Sequence, residues 1–256
     1  MLYNIVIFIV IILYSNALRS CNNKGLRLKT LLNNNQESKT ILPILDILNN
    51  DRDIILASGS PRRRELMHLI GLKFRVITSS FEENLDKNEF KEACQYCLIT
   101  AKHKALDVIK NLEIKGTVNK GTILISSDTI VEIDNTILEK PKDRDDAIKM
   151  LTLLRGRTHQ VHTSICLYSN MNDNKKLVEV DSFVSTSSIT FSKFSDDDLL
   201  YYVSTSEPYD KAGSYGIQGL GSVFVESISG DYFTIMGFPI FLLSKKLVSL
   251  YHSNQI

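Results

Sequence analysis

A chain of 256 residues in which 43% of side chains are hydrophobic and 23% charged can bury a sizeable core, as one large or two small domains. Its formal net charge of +1 excludes a global electrostatic draw toward nucleic acid, so any anion site has to be local. Four scattered cysteines, Cys21, Cys94, Cys97 and Cys166, exclude a disulfide framework.

The chain opens on an apolar run, Ile5 to Leu13, of signal-peptide length and well short of the roughly 18 residues of a membrane span. Ser15, Asn16 and Ala17 follow it, and no basic residue precedes it. From Arg19 to Gln36 come four basic residues, no acid and an excess of asparagine. A secretory signal followed by such a stretch resembles the bipartite leaders of proteins sent to complex plastids; a disordered extension or a simple membrane anchor is the plainer alternative. Residues 1–50 are therefore expected to be a leader and residues 51–256 the folded domain.

Regular patterning begins at Asp53. A strand at Ile54–Ser58 runs through Gly59 and Ser60 into a helix over Pro61–Ile70, with Ser60 placed as N-cap, Pro61 at the first helical position and Gly71 as C-cap. Arg62, Arg63 and Arg64 then crowd the first helical turn, where the dipole disfavours cations. Free backbone N–H groups beside guanidinium groups make a seat for phosphate, so this breach of helix chemistry marks a candidate anion site. A strand at Phe74–Thr78 leads to the loop SSFEENLDK, in which Glu82 and Glu83 offer oxygens to a hard divalent cation.

A helix near Lys91–Leu112 carries Cys94 and Cys97, a C-x-x-C with no second pair and no adjacent His, expected to be ordinary helix neighbours. The buried-type strand Thr122–Ser126 is followed by Asp128, at a place where strand ends open onto ligand crevices and where no helix follows for it to cap. Asp134 and Asn135 supply a hairpin turn, and Lys140 stands beside Pro141, which ends the second arm. A helix over Asp143–Leu154, long strands at Thr158–Tyr168 and Leu177–Phe191, and a helix over Ser195–Val203 come next. His159 and His162, three apart on a strand, point to opposite faces and are no metal pair. The loop from Glu207 to Gly221 holds four glycines around Lys211 without the spacing of a Walker loop. A strand at Val223–Ser227, a turn at Ser229–Asp231 and a helix over Phe241–Tyr251 complete an α/β pattern that is not purely parallel.

The segments ILASGSPRRREL, SSDTIVEIDNTILEKPKD, RGRTHQVHTSICL and EPYDKAGSYGIQGLGSVFVESISGDYFTIMGFP resemble, in this order, the Maf family of nucleoside triphosphate pyrophosphatases. The resemblance runs from about Ile54 to Tyr251, and SSFEENLDK is most similar to eukaryotic members. It implies an α/β fold with a long curved mixed sheet and two lobes around a cleft, similar to inosine triphosphate pyrophosphatases. It also implies hydrolysis of a nucleoside triphosphate at its α–β bond.

By the same resemblance Ser58 and Arg62 are phosphate-loop residues, Lys104, Lys140 and Lys211 bind substrate, and Asp128 is the general base and a ligand of Mg²⁺ or Mn²⁺. Glu83 matches the acid of the family's D-x-D-E stretch; this chain reads Ser80-Phe81-Glu82 before it, which leaves the second metal ligand open between Glu82 and Glu83. Thr129 and Gln218, with Arg62, match the subgroup acting on dTTP and UTP rather than on 7-methyl-GTP. A carboxamide is the complement of the O4 acceptor and N3–H donor of uracil and thymine. The expected partner is a nucleoside triphosphate, with no nucleic acid, a mature protein not embedded in a membrane, and a homodimer compatible with the resemblance. The expected address is cytoplasmic by resemblance, or organellar if the leader functions. A non-catalytic nucleotide-binding regulator of cell division is the rival reading; Asp128 beside every basic position favours catalysis.

Overall fold

The structure, a computed structural model, describes residues 40–172 and 174–256, so the signal and transit stretches expected before residue 37 lie outside the described residues. A seven-stranded mixed sheet has the order β2-β1-β3-β5-β6-β7, with β4 paired to β3. Its strands are β1 (Asp53–Ala57), β2 (Arg75–Val76), β3 (Thr122–Ile133), β4 (Thr136–Leu138), β5 (Thr158–Asn170), β6 (Val178–Phe191) and β7 (Val225–Ser229). β1 runs parallel to β2 and β3, and the remaining pairs are antiparallel. The helices are α1 (Leu45–Asp51), α2 (Pro61–Leu69), α3 (Ala93–Ile114), α4 (Arg144–Leu154), α5 (Asp196–Val203), α6 (Tyr232–Ile235) and α7 (Ile240–His252).

Strand alternation sorts the core. Ile54, Leu56, Ile123 and Ile125 meet Leu66 and Met67 of α2 and Leu243 and Leu247 of α7 on one face. Ile55, Ala57 and Leu124 meet Ala101, Ala105 and Val108 of α3 on the other. The far halves of the long strands build a second lobe, where Val131, Val161, Ile189 and Phe191 pack with α4, α5, Tyr215 and Phe224. Register shifts at Leu167/Tyr168 and Thr190/Phe191 bend these strands. At the β3–β4 hairpin Asp134 (φ 49°) and Asn135 (φ 61°) both take the left-handed conformation of a type I′ turn, as the Asp-Asn pair predicts.

Two expectations change. The packed chain begins ahead of residue 50, because Ile41, Ile44 and Leu48 are buried against the α7 side of the core and the Ile41 N–H donates to Ser244 Oγ at 2.8 Å. Their spacing is helical, a signal masked by the Asn-rich sequence around it. The second strand is also shorter than expected, pairing with β1 at only Arg75 and Val76.

Each of the buried aliphatic side chains Ile41, Ile44 and Leu48 contributes about 1.5–3 kcal/mol. A chain starting at Asp53 is expected to unfold at clearly lower urea concentration than one starting at Lys39, and Leu48→Ala should account for about 2–5 kcal/mol of the loss. Coincident urea midpoints would show that residues 39–52 add nothing to the core.

Candidate active site

β1 makes its last pairing with β3 at Ala57 opposite Ser126, while β3 continues through Asp128 to Ile133 with β5 alongside. Asp128 is therefore in mid-strand, not beyond a strand end: what stops at Ser126 is its parallel partner. The chain leaving β1 turns through Ser58, Gly59 and Ser60 into α2, and a cleft of about 580 Å³ opens in the notch. Its lining includes Ser58, Arg62, Glu83, Lys104, Asp128, Thr129, Lys140, Lys211 and Gln218, so every substrate and base candidate, and one of the two glutamates offered to a metal, faces one space. Glu82 is not part of that lining; Glu83 is.

Asp128 is only 4% exposed and faces α3. Cys97, Ala101, Lys104 and Val108 fall on one side of that helix, so Lys104 holds a core-facing position and its ammonium reaches the strand. Lys104 Nζ lies 2.6 Å from Asp128 Oδ1 and 2.9 Å from Glu83 Oε1. α3 also fixes the loop that delivers Glu83. Asp107 accepts from Ser79 Oγ (2.9 Å) and from the Ser80 N–H (2.7 Å), and Phe81 stacks on His103 with ring centres 4.9 Å apart. Burial raises the Asp128 pKa above the usual carboxylate value against the pull of Lys104 and Arg63. For Glu83 burial acts the same way but is outweighed by Lys104, then Lys140 and Arg63, so its carboxyl stays below the usual range. Two acids on one lysine are thus driven apart in basicity.

The three arginines fan apart. Arg62 stands at the cleft mouth, Arg63 turns inward and Arg64 is exposed. Arg63 was not singled out in the sequence, yet it ties the site together: Nε donates to Gly237 O (2.9 Å), Nη1 to Ser127 O (2.9 Å) and Ser58 Oγ (3.1 Å), and Nη2 to Thr129 Oγ1 (2.9 Å). Burial lowers its pKa against the field of Asp128. Ser60 makes no side-chain cap bond, so the free donors of the first turn of α2 face the cleft without one.

Glu207 organises the glycine loop. Its carboxylate accepts from the Leu220 N–H (2.8 Å), the Gly221 N–H (3.0 Å) and the Tyr202 hydroxyl (2.9 Å). A Cβ at Gly219 would collide with that carboxylate, and Gly213 combines φ +69° with close contact to Val131. Lys211 Nζ donates to Glu207 O at 2.7 Å and pairs with the Asp210 carboxylate. The backbone beside Lys140 is fixed through Glu139, which accepts from Tyr96 (2.7 Å), Lys87 (2.6 Å) and, on its carbonyl, the Gly213 N–H (3.0 Å).

This arrangement places a buried carboxylate, a second acid and a set of cations around one polar cleft, at the segments singled out in the sequence. The family profile described as Maf-like protein matches residues 53–250. The chain belongs to the Maf-like protein family.

Among relatives, a human protein named probable bifunctional dTTP/UTP pyrophosphatase/methyltransferase protein is 41% identical over 83% of this chain, which spans only 34% of that protein. The dTTP/UTP pyrophosphatase of Bacillus cereus is 39% identical over 77% of this chain and 94% of its own length. The nucleoside triphosphate pyrophosphatase of Dictyostelium discoideum is 43% identical over 74% of this chain and 88% of its own. A solved HAM1 protein from Coxiella burnetii aligns with 79% of this chain and 99% of its own at 14% identity and a TM-score of 0.37.

Within this Maf-like chain the C-x-x-C carries no site. The Cys97 thiol is buried and donates toward His162 O and Ser164 Oγ, and burial raises its pKa far from thiolate chemistry. His159 bonds Tyr215 while His162 bonds Glu132 and Thr186, so the two imidazoles serve different neighbours.

Removing Arg63 strands several acceptors at once. Arg63→Met is expected to lower stability by about 3–5 kcal/mol, the range for breaking a buried charged network. Exposed Arg64→Ala should stay within about 0.5 kcal/mol. Equal urea midpoints for the two variants would show that the Arg63 contacts do not hold the fold.

Proposed function

We propose that the protein hydrolyses dTTP and UTP to the nucleoside monophosphate and pyrophosphate, with Asp128 as general base and Mg²⁺ or Mn²⁺ as cofactor. The carrying observation is the Asp128–Lys104–Glu83 cluster, in which a buried aspartate opens to the same cleft as the Ser58–Arg62 turn. The names of the relatives support the substrate.

Hydrolysis joins a water oxygen to the α-phosphorus and breaks its bond to the bridging oxygen, which leaves with pyrophosphate. Asp128 suits the proton transfer. Lys104 holds Oδ1, no described residue bonds Oδ2, and burial makes the carboxylate a stronger base than an exposed aspartate. Arg62, Lys140 and Lys211 meet the negative charge of the phosphates, and Ser58 and the first turn of α2 add neutral donors.

The donor set fits a hard divalent cation. Glu83 and Asp128 supply oxygens to the same neighbour, and the described residues contain no group of three or more His, Cys, Asp and Glu side chains able to hold a metal. Two carboxylates completed by substrate phosphates are the usual way to hold Mg²⁺ beside a nucleotide. When bound there, such a cation neutralises phosphate charge and acidifies water.

Gln218 is exposed in the cleft lining, and no described residue bonds its carboxamide, which favours base reading. The Thr129 hydroxyl is committed to Arg63 and Thr163 and shapes the wall instead. The expected leader ahead of Ile41 fits a targeting role by its sequence alone, and no described helix is long and apolar enough to cross a membrane.

Pyrophosphate release from a nucleotide panel, with and without Mg²⁺, tests the assignment. dTTP and UTP should lead ATP and dCTP, and Gln218→Glu should erode that lead. A preference of the wild-type protein for 7-methyl-GTP would replace the substrate class.

Asp128→Asn should keep the fold and lower kcat by about two to four orders of magnitude. Near-normal turnover in this variant would remove Asp128 from the chemistry.

A further inference from the structure

Five basic and five acidic side chains line the cleft. A lining without net charge gives a triphosphate no bulk attraction, so binding depends on ion pairs changing partners. Most of the acids have other work. Glu139 is held by Tyr96 and Lys87, Glu207 by loop amides, and Glu83 and Asp128 meet on Lys104.

Asp210 differs. Its Oδ1 pairs with Lys211 Nζ, its Oδ2 lies 3.6 Å from Arg62 Nη1, and its carbonyl accepts from Arg62 Nη2 at 3.3 Å. It ends the short 3₁₀ turn Glu207–Asp210, so these contacts join the first turn of α2 to the glycine loop across the cleft. The Asp210 side chain is 60% exposed, against 27% for Arg62 and 17% for Lys211, and can rotate into solvent at little cost. Burial works against its charge, but Lys211 and Arg62 outweigh it and hold the carboxyl below the usual range, so it stays ionised at neutral pH.

We infer that Asp210 is an exchangeable counter-ion: it holds Arg62 and Lys211 until a polyphosphate takes them, and reclaims them to help expel pyrophosphate. This rests on the proposed reading of those two residues as phosphate ligands. A polyphosphate replaces one carboxylate by several oxygens and so wins the exchange; the returning carboxylate keeps the product from holding the site.

Asp210→Asn preserves size and removes the charge. Exposed ion pairs are individually weak, so loss of the competitor should tighten pyrophosphate binding by about three- to tenfold in calorimetry and lower the KM for dTTP to a similar extent, without raising kcat. Asp210→Glu, which keeps the competing charge, should stay near wild type. Weaker pyrophosphate binding and a higher KM in Asp210→Asn would show that Asp210 merely positions Lys211, and unchanged binding would show no exchange; either overturns the inference. Calorimetry with pyrophosphate needs no turnover, so a wild-type protein inactive on dTTP and UTP would sink the proposed function separately.

Discussion

The site depends on an unequal pair of strands. β1 stops at Ala57 and its parallel neighbour β3 does not, which would leave the β3 backbone between Ser126 and the β4 pairing at Val131 without a strand partner on that side. Buried backbone groups need partners. Arg63 supplies one by donating to Ser127 O, and the same guanidinium reaches Gly237 O before α7 and the hydroxyls of Ser58 and Thr129. A gap in the sheet thus becomes a polar notch with rigid walls, and Asp128 is presented into it from a strand rather than from a loop.

Rigidity of the walls is not shared by the mouth. Glu83 and Lys104 are fixed from α3 through Asp107 and His103, and the glycine loop is wrapped on Glu207. Arg62 and Asp210, by contrast, meet at 3.6 Å with one partner largely exposed. In the proposed reading, pre-organised groups surround the reacting bond, where a misplacement of an ångström is costly, and adjustable ones stand where the substrate enters.

Much of this was legible in the sequence because the chemistry broke local rules. Cations in the first turn of a helix, an aspartate with nothing to cap and glycines clustered around a lysine each contradict folding logic, and all three face one cleft. Arg63 was missed because sequence order ranks three adjacent arginines equally; only the helical fan decides which of them points inward. Glu207 and Asp107 were missed for a related reason, since an acid that caps loop amides looks like any solvated acid until the loop is folded around it. The packed segment from Ile41 through α1 was missed because three apolar residues at helical spacing, Ile41, Ile44 and Leu48, carry little signal beside an Asn-rich stretch.

The electroneutral lining resolves a conflict between stability and affinity. A cleft holding five uncompensated cations would repel itself whenever it stood empty, and the cost would fall on the folded state. Pairing each cation permanently would avoid that cost but leave nothing for a phosphate to bind. Here Arg63 is held by neutral acceptors for structure and Lys140 makes no ion pair with a described residue, while Lys104, Arg62 and Lys211 rest on acids with a second occupation in the proposed cycle: Glu83 and Asp128 toward a metal ion, and Asp210 toward solvent. The charge that stabilises the empty fold is therefore released stepwise as substrate arrives, and the cations gain their field only when a polyanion is present to use it.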